Sequence, residues 1–399
     1  LPRMYRVRQQ FDETRLEDVA GTVRAEFAKP EIRALVKPGM RIAVGVGSRG
    51  IQNLYTIVET TVNSLKELGA EPFIVSAMGS HGGGTEEGQR EVLAGYGITE
   101  ERLGVPVVTT VDTVYLGNCA NGRPVWFDRA AYEADLIVPI NRVKLHTDFV
   151  GPIQSGLCKM LVIGLGNHKG CSAVHEEAPE VFADAIEETA RLILQKAPVG
   201  FGIAILENAY DKTYDVEAVP AEHLVEREKE LVQIAKGNMP YIMLDEADVI
   251  ICGAIGKDIS GAGFDPNILG RSSVLKQFVL HIPRYQRLVL CDVTPASHGN
   301  GIGVGLFDVI TKKVAEQLDL ESMYANAIAC NCLGDASVPC TVDDEETAIR
   351  VALKCCRNID RDHPRIIRIQ NTLHLGEIEV SEALLDAVRA DSRMSLIEN

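Results

Sequence analysis

Short, strongly apolar runs recur along the first half of the chain, at residues 41–46, 72–77, 105–110, 134–140 and 200–206. Between most of them lie stretches with helical periodicity, at 53–68, 85–93 and 179–195. Unbroken apolar runs of this length read as strands covered on both faces, and their alternation with helices implies a largely parallel sheet. Residues 221–236 pattern as a charged amphipathic helix, and the break Gly237-Asn238-Met239-Pro240 follows it. Strand-like runs resume at 249–254, 287–293, 325–330 and 366–370, and a closing helix is expected at 381–390. The expected fold class is therefore α/β: two α/β domains with mainly parallel sheets and an active-site cleft between them. The division expected is an N-terminal domain over 1–238, a C-terminal α/β domain over 239–375, and a C-terminal helix over 376–399 that returns to the first domain.

The length, 399 residues, exceeds what one compact core holds and agrees with two domains. Apolar residues at 46% and charged residues at 24% are the balance of a globular protein. No apolar run reaches the ~18 residues that a membrane span needs, and the opening LPRMYRVRQQFDE lacks the apolar core of a secretory signal. Ten cysteines without a C-x-x-C pair exclude the common zinc spacing and point to a reducing, cytoplasmic setting. A formal net charge of −16 argues against a nucleic-acid binder, since phosphate contacts need clustered Lys and Arg. Neither nucleic acid nor membrane is expected as a partner.

Two glycine-rich loops follow the first two strands. Gly45-Val46-Gly47-Ser48-Arg49-Gly50 fits the G-x-G-x-x-G spacing of dinucleotide folds. The acidic residue expected about 20 positions on would be Glu71, which precedes the second strand instead of ending it. The loop is better read as an anion cradle, with Gly47, Ser48 and helix N-terminal amides around a phosphate or carboxylate held by Arg49. The second loop, Gly79-Ser80-His81-Gly82-Gly83-Gly84, ends at Thr85, a good N-cap with Glu86 and Glu87 in the first turn. Glycines beside His81 leave room for a ligand where a core histidine would have bulky neighbours.

The densest chemistry lies at 141–175, where Lys144, His146, Lys159, His168, Lys169 and His175 stand among glycines after the apolar run 134–140. A lone His or Lys is usually structural. Six in one glycine-rich run at a strand end point to a site, and imidazoles there serve as metal ligands or as acid–base groups. His298, in a further glycine loop, is a candidate to line a cleft, whereas His223, His281, His363 and His374 read as structural.

In this order the loops resemble the nickel-dependent lactate racemase family, whose members use a nickel-pincer nucleotide. The resemblance rests on Arg49 after the first strand, Gly79-Ser80-His81, the series His146, Lys159, His175, and Gly253-Ala254-Ile255-Gly256-Lys257-Asp258, which is similar to the family's G-x-P-K-D turn. It implies that Lys159 holds the cofactor's thioamide carbon, that His175 is the protein ligand to nickel, and that His81 and His146 are the acid–base pair. Arg49 and Lys257 would hold anionic groups of cofactor or substrate. His168 is the rival metal ligand, and the sixteen-residue spacing from Lys159 favours His175. The activity implied is a 2-hydroxyacid racemase or epimerase, inverting C2 of a small anionic substrate by proton-coupled hydride transfer and dependent on cofactor-biosynthesis enzymes. Two histidines with ordinary pKa values near ~6.5 suit proton transfer at neutral pH.

The chain departs from the family at Val46, where lactate racemases have aspartate, and at Gly82, where they have arginine. Its one tryptophan, Trp126, is in the first domain, whereas theirs near the substrate is in the second. Gly82 opens space for a substrate bulkier than lactate. Two other readings stand beside this one. The first is an NAD-dependent dehydrogenase built on the 45–50 loop, against which Glu71 counts. The second is a non-catalytic nucleotide- or metal-binding homologue, against which the retained His81 and His146 count.

Overall fold

The structure, a computed structural model, describes residues 1–48 and 50–398. The chain forms two compact units, one of residues 13–238 and one of residues 1–12 together with the chain from 239 onward.

The first strand, β1 (Met4–Gln9), belongs to the second unit. The first unit then holds β2 (Arg41–Val46), β3 (Glu71–Ser76), β4 (Val107–Val108), a hairpin of β5 (Thr113–Asn118) and β6 (Pro124–Asp128), β7 (Leu136–Arg142), β8 (Phe201–Glu207) and β9 (Thr213–Pro220). Its main sheet runs β4-β3-β2-β7-β8-β9, parallel except for β9. In β2 and β3 every residue after the first is buried, as a parallel strand covered on both faces requires. One core joins Ile42, Val44, Ile74 and Val138 of the sheet to Val23, Ile57, Leu65 and Leu93 of the flanking helices. Strands are added to one side of β2 up to β4 and then, from β7, to the other. The carboxyl ends of β2 and β7 therefore flank the reversal point at which open α/β sheets bind ligands.

The second unit adds β10 (Val249–Cys252), β11 (Arg287–Leu290), β12 (Val309–Thr311), β13 (Cys340–Val342), β14 (Ile366–Ile369), β15 (Glu377–Ser381) and β16 (Met394–Leu396), in the order β13-β12-β11-β10-β14-β15-β1-β16. The strands from β13 to β14 are parallel, and β15, β1 and β16 are antiparallel. This corrects the division expected from the sequence: residues 1–12 leave the first unit, and the segment after 375 does not return to it. Strand pairing is the cause. Val7 faces Ile378 and Tyr5 faces Val380 on one side, while Arg6 faces Glu379 and Arg8 faces Glu377 on the other, a two-faced cross-strand match.

A second correction concerns 325–330, expected as a strand and found within the helix Leu320–Ala329. Asp319 caps it by accepting from the Glu321 and Ser322 amides, at 3.1 and 3.3 Å. Met323 and Ala327 face the core, four residues apart, a period that a six-residue apolar window cannot separate from a strand. Among the described residues no helix is long and apolar enough to cross a membrane.

Candidate active site

The two glycine loops meet at the carboxyl ends of β2 and β3. Ser48 Oγ hydrogen-bonds His81 Nδ1, and the Tyr96 hydroxyl donates to Ser48 O at 2.9 Å. Gly79 has φ +61° and donates its amide to Gly164 O at 3.0 Å; a Cβ there would come within 2.9 Å of Ile163 O. Only glycine meets both conditions. Gln89, fully buried, ties the loop down, its Nε2 donating to Gly79 O at 3.1 Å and His81 O at 3.4 Å while its Oε1 accepts from the Ser76 hydroxyl at 2.6 Å. The sequence reading passed over Gln89, although a glutamine four residues before Leu93, on the same buried side of the helix Glu86–Gly95, marked it.

Arg49 lies outside the described residues. The Gln52 amide, two residues before the helix Leu54–Glu67, donates to Glu207 Oε1 at 2.8 Å, and Glu207 pairs with Arg142. Gly47 lies against Met160, whose Cε a Cβ would meet at 3.1 Å, and Ser48 serves His81.

Beyond β7 the chain closes a loop through reciprocal backbone bonds between Lys144 and Ser155, at 2.9 and 3.1 Å. Within it buried Gln154 accepts from the His146 amide at 2.7 Å, and Phe149 stacks on the His146 ring with centroids 4.3 Å apart. His146 Nε2 is brought to 2.6 Å from Lys159 Nζ, and its Nδ1 accepts from the Asp148 amide at 3.0 Å. The two ring nitrogens are thus both engaged, one by the Lys159 side chain and one by a backbone amide.

The short turn Leu157–Lys159 passes into a π-helical turn, Met160–Gly164, and then into the helix Asn167–His175. Such turns cluster at functional sites. Asn167, at φ +51°, donates to Asp128 Oδ2 at 2.8 Å; burial pushes the Asp128 carboxyl up to about 6 against the hydrogen bonds it accepts. At the end of this helix His175 Nδ1 lies 2.7 Å from Cys171 O and 3.5 Å from Cys171 Sγ. A carbonyl only accepts, so Nδ1 carries a proton and Nε2 is the nitrogen left to meet a ligand. The Cys171 thiol raises the His175 pKa against burial, and His175 in turn overcomes burial to lower that of Cys171. Ser80 Oγ, 3.9 Å from Cys171 Sγ, ties this helix to the His81 loop. A ring series from His146 through Phe149 and Phe182 to His175, with steps of 4.3, 4.9 and 5.1 Å, ties it to the Lys159 loop.

His168 is exposed on the same helix, and Lys169 lies over the Trp126 ring at 3.4 Å. Among the described residues no group of three or more His, Cys, Asp or Glu is arranged to hold a metal. Buried Arg123, at the hairpin turn, binds Glu177 just past His175 and donates to Glu188 at 2.9 Å on the next helix. Nothing in the sequence pattern marked Arg123. The structure therefore gathers Gly47, Ser48, His81, His146, Lys159 and His175 in the first unit. Lys257 belongs to the second, where its ammonium donates to Gly261 O at 2.7 Å and to Asn326, and its amide to Ser297 Oγ at 2.9 Å. His298 stands nearby in that unit at φ +47°. His281 reaches Leu244 O at 3.1 Å, and His363 sits 3.3 Å from Asp360.

Residues 4–184 match the family model of the lactate racemase N-terminal domain. Among solved structures, the lactate racemase apoprotein from Thermoanaerobacterium thermosaccharolyticum shares the fold, with a TM-score of 0.54 and 14% identity over 92% of this chain and 93% of that one. A Thermotoga maritima protein gives a TM-score of 0.44 and 13% identity over 59% of this chain; the match spans 63% of that protein's length. No curated protein matches the chain.

Proposed function

From a chain whose residues 4–184 belong to the lactate racemase N-terminal domain family, we propose a 2-hydroxyacid racemase or epimerase that works with a nickel-pincer nucleotide. The observation that carries the proposal is the 2.6 Å bond between His146 Nε2 and Lys159 Nζ, with His146 Nδ1 already committed to the Asp148 amide. That contact sets an imidazole, a base at neutral pH, beside an amine that attacks an acyl-type carbon once it has given up its extra proton. The donor set also suits the group. Lys159 offers the covalent anchor, and His175, with Nδ1 tied to a carbonyl, offers one neutral imidazole nitrogen, a good nickel ligand. A nickel-pincer nucleotide, when bound, supplies a reversible acceptor for the C2 hydride.

The protein's own part is positioning and proton transfer. Were the cofactor anchored on Lys159, His146 Nε2 would be left to face substrate. The Ser48 contact uses His81 Nδ1, so proton exchange with a substrate hydroxyl falls to Nε2. With one histidine on each side of C2, a proton leaves the hydroxyl on one face and returns on the other. Arg49 and Lys257 are assigned to anionic groups of cofactor and substrate, and the enzymes that build the cofactor are the expected cytoplasmic partners. A dehydrogenase with a dinucleotide in the 45–50 loop is less well supported, because Glu71 pairs with Arg41 at the amino end of its strand, away from the ligand end.

The test is chiral chromatography of enantiopure 2-hydroxy acids after incubation in D₂O with protein produced alongside the cofactor-forming enzymes. Inversion with the original hydrogen kept at C2 is expected. Absence of inversion across the panel, or deuterium entering C2, contradicts the proposal.

A further inference from the structure

Glu228 is a buried carboxyl that the reaction outlined above does not use. It lies on the helix Leu224–Asn238, whose buried stripe is Leu224, Val225, Glu228, Leu231, Val232 and Ala235, so a glutamate holds an apolar place. The residue is 0% exposed. Its Oε2 accepts the Cys158 amide at 2.9 Å, and the Leu157 amide also bonds the carboxyl. These are the first amides of the turn that ends in Lys159. The Cys158 thiol also bonds the carboxyl, and no salt bridge reaches the group among the described residues. The backbone makes way for it: a Cβ on Gly156 would stand 2.6 Å from the Glu228 carboxyl carbon. A buried carboxylate disfavours folding relative to an apolar side chain of similar size. Its place under Lys159 supplies the reason to keep one.

We propose that Glu228 is a positioning residue for Lys159: its carboxylate grips the Leu157 and Cys158 amides and so fixes the turn that holds the Lys159 amine against His146. The proposal rests on the reading of Lys159 as the residue that carries the cofactor. Burial pushes the Glu228 carboxyl up to about 7 against its two amide hydrogen bonds. The ionised form grips the amides more strongly than the neutral acid does, so the grip weakens as pH falls through neutrality. Titratable groups on the elements packed against it include the Cys158 thiol and Lys159 on the turn, Glu207 on β8, which is paired with Arg142, Glu187 and Arg191 on the helix Phe182–Lys196, and Glu217 on β9. Glu187 and Arg191 are tied to each other and to Lys229 and Glu226, and Glu217 is tied to Arg227. Each of those charges has its own partner.

The test needs neither cofactor nor substrate. Trinitrobenzenesulfonate labelling is followed lysine by lysine through peptide mass, and the rate at Lys159 is divided by that at exposed Lys37. The wild-type ratio is expected to rise in a step as pH crosses about 7. In Glu228→Gln the step disappears, and the ratio at pH 8 falls roughly tenfold, the scale of losing one charge-assisted hydrogen bond. Gly156→Ala, which crowds the carboxyl without changing any charge, gives the same flattened profile. A flat wild-type profile, or an unchanged step in both variants, overturns the proposal. Either outcome leaves the racemase reading to its own test, and failure of that reading leaves this one standing.

Discussion

At the scale of single residues, His146 constrains the chemistry most. On the proposed reading the ring serves Lys159 first and substrate only once the cofactor is in place. His146→Ala is therefore expected to slow both cofactor attachment and turnover, whereas His81→Ala slows turnover alone. Each loss of turnover should be roughly 10²-fold or more, the scale of a general acid–base group. The double variant should lose less than the product, since both serve one proton cycle. Racemisation rates and adduct mass, read in parallel, check this; near-normal turnover in either single variant would rule out the two-base scheme. Gln89→Leu leaves the Gly79 and His81 carbonyls and the Ser76 hydroxyl without their partner. It should cost about 1–3 kcal/mol of stability by urea unfolding and slow turnover by displacing His81. A variant as stable as wild type would show that the loop holds itself.

At the scale of elements, the short turn, the π-turn and the helix from Leu157 to His175 are held from behind by buried polar groups. Arg123 pins the far end through Glu177 and Glu188. Arg123→Met removes one partner from each of these partly exposed carboxylates and should cost about 1–3 kcal/mol and lower nickel retention at His175. Unfolding curves and metal content measure the two effects, and full retention of nickel would separate Arg123 from the site. Asp128 and Glu228 make stability depend on pH in a defined direction. Both are raised by burial, from 3.8 to about 6 and from 4.5 to about 7, so the folded protein holds protons that the unfolded chain releases. Their contribution is complete below the unfolded values and is lost as pH rises through about 6 and about 7. The Glu228 share is on the order of 3 kcal/mol. The drop in melting temperature between pH 5 and pH 8 should shrink in Glu228→Gln, and an unchanged drop would move the effect to other groups. Gln89 and Glu228 were legible in principle, as polar residues on apolar helical stripes. Arg123 was not, because nothing local shows that a turn residue lies under a helix some sixty positions away.

At the scale of the whole molecule, the parallel strands were legible because full burial leaves an unbroken apolar run, as in β2, β3, β7 and β8. The antiparallel strands were not. β1 and β15 alternate charged and apolar positions over five or six residues, which reads as a polar segment until the partner strand is known. Long-range pairing therefore set the unit boundary where local pattern had no purchase. Removing residues 1–12 should abolish amide-exchange protection in β15 and β16, which lose the strand between them, while β2 and β3 keep theirs. Retained protection in β15 would place the stability of that sheet elsewhere. The candidate residues stood out as an ordered set of loops, whereas their contacts (Ser48 with His81, Lys159 with His146, Cys171 with His175) come only with the folded chain.

The central claim is that Lys159 and His175 together hold a nickel-bearing cofactor. Intact-protein mass with metal analysis, on chains produced alongside the cofactor-forming enzymes, tests it most directly. The account predicts a single covalent adduct with stoichiometric nickel in the wild type, no adduct in Lys159→Ala, and an adduct stripped of its nickel in His175→Ala. An unmodified wild-type mass under conditions that load an authentic lactate racemase, or an adduct that survives in Lys159→Ala, would contradict it.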